Sequence, residues 1–292
     1  MHPKEEFYDF EILIKSFMRF GKLCALIESI DRFYPGVTIR VVDDSPASEK
    51  RDEAWRRLGQ RENTNLYFLP FNSGVCKGRN FLVSKATKPY FVLVDDDNEF
   101  TEHTDLGKLR AILKADRRCV IAGGGYLNCG ISQHSYFGHA EQRGNEITRY
   151  QYGAYAPRRK VAGVVCIPCR ITHNFFMANT YLFKQRNILW DERLRVREHV
   201  VFFLLLPEDL RVYYVPEVFV NHHHSRQKDP RPSVFDPDAE YLKFRFNERE
   251  LHRYEELEHV KINLTPVSVY DKESRWAKIR RLLRLPGRIV LL

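Results

Sequence analysis

Three adjacent aspartates, Asp95, Asp96 and Asp97, follow the apolar run Phe91 to Val94 without a break. Two carboxylates about 4 Å apart repel by roughly 4 kcal/mol at an effective dielectric near 20. Such a cluster calls for a cation, a proton or open water. Along an extended chain, residues i and i+2 point to one face and the residue between them to the other. Asp95 and Asp97 are therefore expected to share one hard cation. Mg²⁺ or Mn²⁺ suits this arrangement, because either takes one or two carboxylates and completes its shell with substrate phosphate oxygens. A second acidic pair, Asp43–Asp44, ends the apolar segment VTIRVV in the same way; capping of the following turn is the other reading of that pair. His222, His223 and His224 follow FVN. An imidazole there would complete the cation's coordination and favour Mn²⁺; a solvated histidine run is the alternative. Neither GxxxxGK[ST] nor GxGxxG occurs, so the metal, with Lys77 and Arg79, is left to hold a diphosphate.

The elements that must carry these residues alternate. FEILI (10–14), VTIRVV (37–42), LYFL (66–69), YFVLV (90–94) and CVIAGG (119–124) read as strands. Phe20 to Phe33 carries Leu23, Leu26, Ile27 and Ile30 at helical spacing. Helices are also expected up to about Gln60, from Gly74 to Ala86 and from Asp105 to Ala115. Strands separated by helices indicate a parallel sheet with right-handed crossovers. Both acidic clusters then lie at carboxyl ends of strands, where open α/β sheets bind ligands. Leu127 to Lys160, rich in Tyr, His, Gln and Gly, reads as irregular strands and loops laid over the site.

Bulk composition narrows the classes. A chain of 292 residues with 43% apolar content is globular, with one large domain or two small ones. Its longest apolar run, Val200 to Leu206, falls far short of the roughly 20 residues that span a bilayer. The first ten residues have no signal-peptide core. Six cysteines lack zinc-like spacing, since the CIPC pair Cys166 and Cys169 has no second pair, and most of them read as reduced thiols of a cytosolic setting. A net charge of +9 suggests a polyanionic partner. A nucleic-acid binder is one candidate, but no nucleic-acid module appears and the basic residues gather in the tail. There, a helix from about Ser274 to Leu285 would set Trp276, Ile279, Leu282 and Leu283 on one face amid Arg275, Lys278, Arg280, Arg281 and Arg284. That is the pattern of a helix lying on an anionic membrane surface. A metal-dependent phosphohydrolase would need more ligands at strand ends than the sequence offers.

Four stretches carry a family resemblance: KSFMRFGKLCALIESIDRFYPGVTIRVVDDS (15–45), LPFNSGVCKGRNFLVSKATKPYFVLVDDDNEF (69–100), THNFFMANTYLFKQRNILWDERL (172–194), and REHVVFFLLL with VFVNHHHS. In this combination the chain resembles a GT-A glycosyltransferase of the family 2 kind. More closely, it is similar to the β-1,4-N-acetylgalactosaminyltransferases of ganglioside synthesis and their bacterial relatives. The resemblance implies a GT-A fold, with a Rossmann-like, mostly parallel sheet flanked by helices. It further implies an inverting, metal-dependent transfer from a UDP-sugar to a glycan or glycolipid hydroxyl.

On single positions, the resemblance assigns Asp43 and Asp44 to the uridine end of the donor. Gly78, Arg79 and Asn80 fall near the nucleotide, and Lys77 and Asp96 join the donor-binding set. Asp95, Asp97 and His222 would hold the metal. Asn174, Phe175 and Phe176 would lie beneath donor sugar and acceptor. Relatives carry an acidic residue just before the paired phenylalanines; here that position is Val201, so Glu198 becomes the expected base and His199 the second choice. This departure leaves open a weakly active or inactive nucleotide-sugar binder. The expected organisation is a glycosyltransferase domain over 1–265, divided near 125/126 into nucleotide and acceptor halves, and a basic tail over 266–292. The expected location is the cytoplasmic face of a membrane, or the Golgi lumen if the sequence is a trimmed eukaryotic chain.

Overall fold

The computed structural model of the chain describes residues 8–128, 132–134, 136–194, 198–223 and 254–269. The first part alternates as β1 (Phe10–Ser16), α1 (Phe20–Phe33), β2 (Ile39–Asp43), α2 (Glu49–Gly59), β3 (Thr64–Phe68), α3 (Val75–Lys85), β4 (Tyr90–Asp95), β5 (Asn98–Glu99), α4 (Leu106–Ala115) and β6 (Cys119–Asn128). There follow β7 (Ser132–His134), β8 (Gly138–Arg143), β9 (Glu146–Tyr152), β10 (Arg159–Val161), β11 (Val164–Cys169) and β12 (Phe176–Asn179). Last come α5 (Thr180–Gln185), α6 (His199–Leu204), β13 (Arg211–His222) and β14 (Lys261–Val269).

An 11-stranded sheet runs β10-β11-β13-β6-β12-β4-β1-β2-β3, with β5 on β13 and β7 on β6. The expected fold class holds: a large sheet flanked by helices. Parallel pairing covers β3-β2-β1-β4 and the β6–β13 pair, while β12 runs antiparallel between β4 and β6. Strand alternation divides the apolar residues between two cores. Leu13, Val42 and Leu93 face one with α3, α5 and α6; Ile12, Ile14, Val41, Val92 and Val94 face the other with α1 and α4. The central strands β1 and β4 are covered on both faces, which is why they read as continuous apolar runs. Helix α1 buries Leu23, Leu26, Ile27 and Ile30, and Ser48 and Asp105 cap α2 and α4 by accepting from Arg51 N and Lys108 N, each at 3.2 Å.

One expectation needs correction. The segment 127–160 is more regular than its composition suggests: β8 and β9 form an antiparallel hairpin, and β14 joins β9 in parallel to make a three-stranded sheet. Gly138 makes that packing possible, since a Cβ there would fall 1.8 Å from the Tyr150 carbonyl oxygen. The expected divisions near 125 and 265 fall within β6 and β14. The anticipated helix over 274–285 lies outside the described residues. Five cysteines, Cys24, Cys76, Cys119, Cys166 and Cys169, are free thiols. No helix among the described residues is long and apolar enough to cross a membrane.

Candidate active site

Strands β1, β2 and β4 end side by side, with Lys15 opposite Asp95 and Ser16 opposite Asp43 in register. Asp44, just past β2, is buried and ion-paired with Lys15. Its second oxygen accepts from Gly74 N at 2.9 Å. Gly74 has φ +94°, a left-handed conformation that costs glycine little, and this turns its N–H toward the carboxylate. Gly78 serves the same neighbourhood by absence of bulk: a Cβ there would lie 2.6 Å from Lys15 Cγ. Asp43 uses one oxygen to accept from Ser45 N at 3.2 Å and Ser45 Oγ at 2.5 Å. Its other oxygen is buried with no hydrogen-bond partner. Burial lifts the Asp43 carboxyl above its ordinary value, with the Ser45 hydrogen bonds opposing. Of the acidic pair, Asp43 therefore retains acceptor capacity for a ligand N–H, while Asp44 is committed to the protein.

Arg79 is the pivot on the other side of β4. Only 2% exposed, its guanidinium donates to Asp95 Oδ1 at 2.7 Å and to Glu198 Oε1 at 2.5 Å. Burial works against its charge, but Asp95 and Glu198 outweigh that and hold its pKa above the ordinary value. The guanidinium also lies 5.7 Å from the Trp190 ring. Asn80 fastens the backbone of Trp190 in both directions, donating to its oxygen and accepting from its nitrogen at 2.9 Å each. The stretch expected to touch the nucleotide thus spends Arg79 and Asn80 on aligning β4 with the segment leading to Glu198. Lys77 is exposed on α3.

Asp96 and Asp97 go elsewhere. Strand β4 ends at Asp95 and a turn begins, so the alternation that would pair Asp95 with Asp97 stops there. Arg19, at the entrance to α1, forms ion pairs with both Asp96 and Asp97. Asp97 Oδ2 also lies 3.6 Å from His222 Nε2 at the end of β13. Burial works to raise the Asp97 pKa, but Arg19 and His222 outweigh it and hold the carboxyl well below its usual range. Fully buried Asp96 shows the opposite: burial, with Asp97 and Asp95 adding, pushes it up to about 6 against the opposing Arg19.

At the start of α6, Glu198 is buried and His199 Nε2 lies 2.7 Å from the Thr172 carbonyl oxygen. That contact requires Nε2 to carry the proton. Burial lowers the His199 pKa to about 4, helped by Arg79 and Arg149 and opposed by the Thr172 hydrogen bond. Tyr136 stands 4.8 Å from the His199 ring, and Arg149 lies over Tyr136 at 4.0 Å. Tyr126 lies between two imidazoles, stacked on His222 at 4.6 Å and tilted against His173 at 4.1 Å. Asn174 Oδ1 is buried without a hydrogen-bond partner. Phe175 and Phe176 do not line the site: both are fully buried in opposite cores, against Phe100 at 6.2 Å and Phe91 at 6.5 Å.

Sequence reasoning singled out the acidic residues, Glu198, His199 and His222, and did not single out Arg19, Lys15 and Tyr126, which the structure sets against them. Lys15 was legible in one respect, as the polar residue ending the apolar run of β1. For a divalent cation the donor set is lean. Among the described residues, no three His, Cys, Asp or Glu side chains form a group that could hold a metal. Asp97 and His222, 3.6 Å apart, fit an ion that takes most of its shell from diphosphate oxygens and water. Asp95 is turned to Arg79 instead.

Known proteins resemble this chain in sequence and in fold. The chain is 35% identical over 242 residues to β-1,4 N-acetylgalactosaminyltransferase 1 of Rattus norvegicus, and 29% identical over 241 residues to β-1,4 N-acetylgalactosaminyltransferase 2 of Mus musculus. These alignments take in 80% and 81% of this chain but 42% and 43% of the relatives, so the chain spans less than half their length. Among solved structures, S. aureus TarS 1-349 in complex with UDP-GlcNAc superposes with a TM-score of 0.55 at 15% identity, covering 80% of this chain and 63% of that one. At that identity the likeness is one of fold. Residues 11–177, from within β1 into β12 and including Asp43, Asp44, Asp95, Asp96 and Asp97, match the model of glycosyl transferase family 2, and the chain belongs to that family.

Proposed function

We propose that this chain is a metal-dependent, inverting glycosyltransferase. It moves a hexose, such as GalNAc or galactose, from a UDP-sugar to a hydroxyl of a glycan or glycolipid. The observation that carries the reading is the single buried guanidinium of Arg79, bonded at once to Asp95 at the donor edge and to Glu198. The names of the N-acetylgalactosaminyltransferase relatives, and the UDP-GlcNAc bound to TarS, agree with it.

The unpartnered oxygen of Asp43 would accept from the N–H of a uracil. Asp97 and His222 would hold Mn²⁺ or Mg²⁺, which when bound neutralises the leaving diphosphate, a contribution of several kcal/mol. Glu198 keeps one oxygen on Arg79, leaving Oε2 to take the proton of the acceptor hydroxyl. The acceptor oxygen forms its bond to the anomeric carbon from the side opposite the diphosphate, and UDP departs with the electron pair of the broken C–O bond. His199, neutral above about pH 4, would orient the acceptor rather than supply charge. The basic segment Ser274 to Leu285 would keep the enzyme beside a lipid-linked acceptor.

One observation favours a second reading. Glu198 already holds a buried guanidinium through one of its oxygens, an engagement that would suit a protein that binds nucleotide-sugars with little turnover. The deciding assay incubates the full chain with a panel of nucleotide-sugars, with Mn²⁺ or with EDTA. UDP-sugar turnover that needs Mn²⁺, and that falls about a thousandfold in Asp97→Ala with an unchanged circular dichroism spectrum, supports the transferase. Transfer by Asp97→Ala within about tenfold of the parent overturns the metal assignment. UDP binding without transfer or hydrolysis selects the second reading.

A further inference from the structure

Arg19 belongs to none of the roles above. It lies just ahead of α1, where no side chain caps the helix. The preceding Met18 has φ +58°, a left-handed conformation unfavourable for a side chain of its size, and its N–H is held by Ser45 Oγ at 2.7 Å. From this position the guanidinium reaches both Asp96 and Asp97, and it is only 11% exposed. It pairs with Asp97 through Oδ2, the oxygen that also faces His222 Nε2. A divalent ion seated between Asp97 and His222 would lie against the guanidinium. Two cations on one carboxylate oxygen repel, so an ion bound there works against the Arg19 pair.

We propose that Arg19 is the resident counter-cation of the Asp96–Asp97 pair, and that a divalent cation takes its place there by displacing it. This inference rests on the metal-dependent reading and deepens it. The nucleotide-free chain offsets part of the charge of its own aspartates with Arg19 and binds metal weakly. When metal and diphosphate arrive together, the freed guanidinium has a new anionic partner in the phosphate oxygens. Metal and nucleotide therefore bind cooperatively. If the Arg19 pair is open about a tenth of the time, metal affinity without nucleotide is lowered about tenfold.

The test measures Mn²⁺ binding by calorimetry and by the electron paramagnetic resonance signal of free Mn²⁺. It uses the full chain, Arg19→Gln, Arg19→Lys and Asp97→Asn, each with and without UDP. Without UDP, Arg19→Gln is expected to bind Mn²⁺ about tenfold more tightly than the parent. UDP should tighten Mn²⁺ binding more in the parent than in Arg19→Gln, and Mn²⁺ should raise the melting temperature of Arg19→Gln more. Lysine keeps the charge but cannot bridge two carboxylates as a fork, so Arg19→Lys should fall between. It carries the comparison if the glutamine variant does not fold. Parent-like Mn²⁺ affinity in both Arg19 variants overturns the proposal and leaves the metal reading standing. Absence of Mn²⁺ binding in every protein, even with UDP, overturns both. Loss of binding in Asp97→Asn fixes the locus.

Discussion

Arg79 and Glu198, 119 positions apart, meet at 2.5 Å in the protein interior. The same guanidinium holds Asp95 at 2.7 Å, so one cation ties the end of β4 to the start of α6. Breaking a buried ion pair from one side strands its partners, at a cost of about 3–5 kcal/mol. Arg79→Met should lose stability of that order in urea unfolding, and Arg79→Lys, with one donor centre in place of a fork, should recover only part. Unfolding midpoints of both variants equal to the parent would show the network to be dispensable.

Glu198→Gln keeps the hydrogen-bonding shape and removes the proposed base. The expected outcome is a lower kcat with UDP–Mn²⁺ affinity unchanged. His199→Ala should weaken turnover less. The reverse order would transfer the role of base to His199, and full activity in both variants would exclude the α6 entrance from proton transfer.

His199 also sets an acid sensitivity. Its pKa in the folded chain is about 4, below the ordinary 6.5, because burial and the nearby Arg79 and Arg149 disfavour the cation. Between those values the unfolded chain binds the proton and the folded chain does not. Stability is therefore complete above about pH 6.5 and declines as pH falls toward 4, with a slope of at most about 1.4 kcal/mol per pH unit. His199→Gln should flatten that part of the curve. Urea unfolding of both proteins at pH 7 and pH 5 measures it, and equal pH dependence would remove His199 as the source.

Truncation after Tyr270 leaves β14, which ends at Val269, whole. The shortened protein is expected to stay in solution with phosphatidylglycerol vesicles at low salt, while the full chain sediments and is released at high salt. Equal sedimentation of the two would discard the tail as a membrane contact.

By itself the sequence determined the elements whose cause is local. Phe20 to Phe33 shows its helix because one face must be apolar, and FVLV shows a strand covered on both faces. The aspartates had to stand at strand ends because a charge cluster has no place inside such a strand. Family membership was legible for the same reason, since the quoted motifs are contiguous stretches. Only the tertiary structure decided the partners of those charges. Arg19 finds Asp97 across 78 positions and Arg79 finds Glu198 across 119, separations for which no periodicity exists. Asp95 and Asp97 part company because β4 stops at Asp95, and the two-residue alternation holds only while the backbone stays extended. Phe175 and Phe176 read as one surface because they are adjacent, yet alternation sends them into opposite cores. The strand over 261–269 had no readable role until β9 supplied its partner, because strand pairing is a contact between segments that neither one encodes alone.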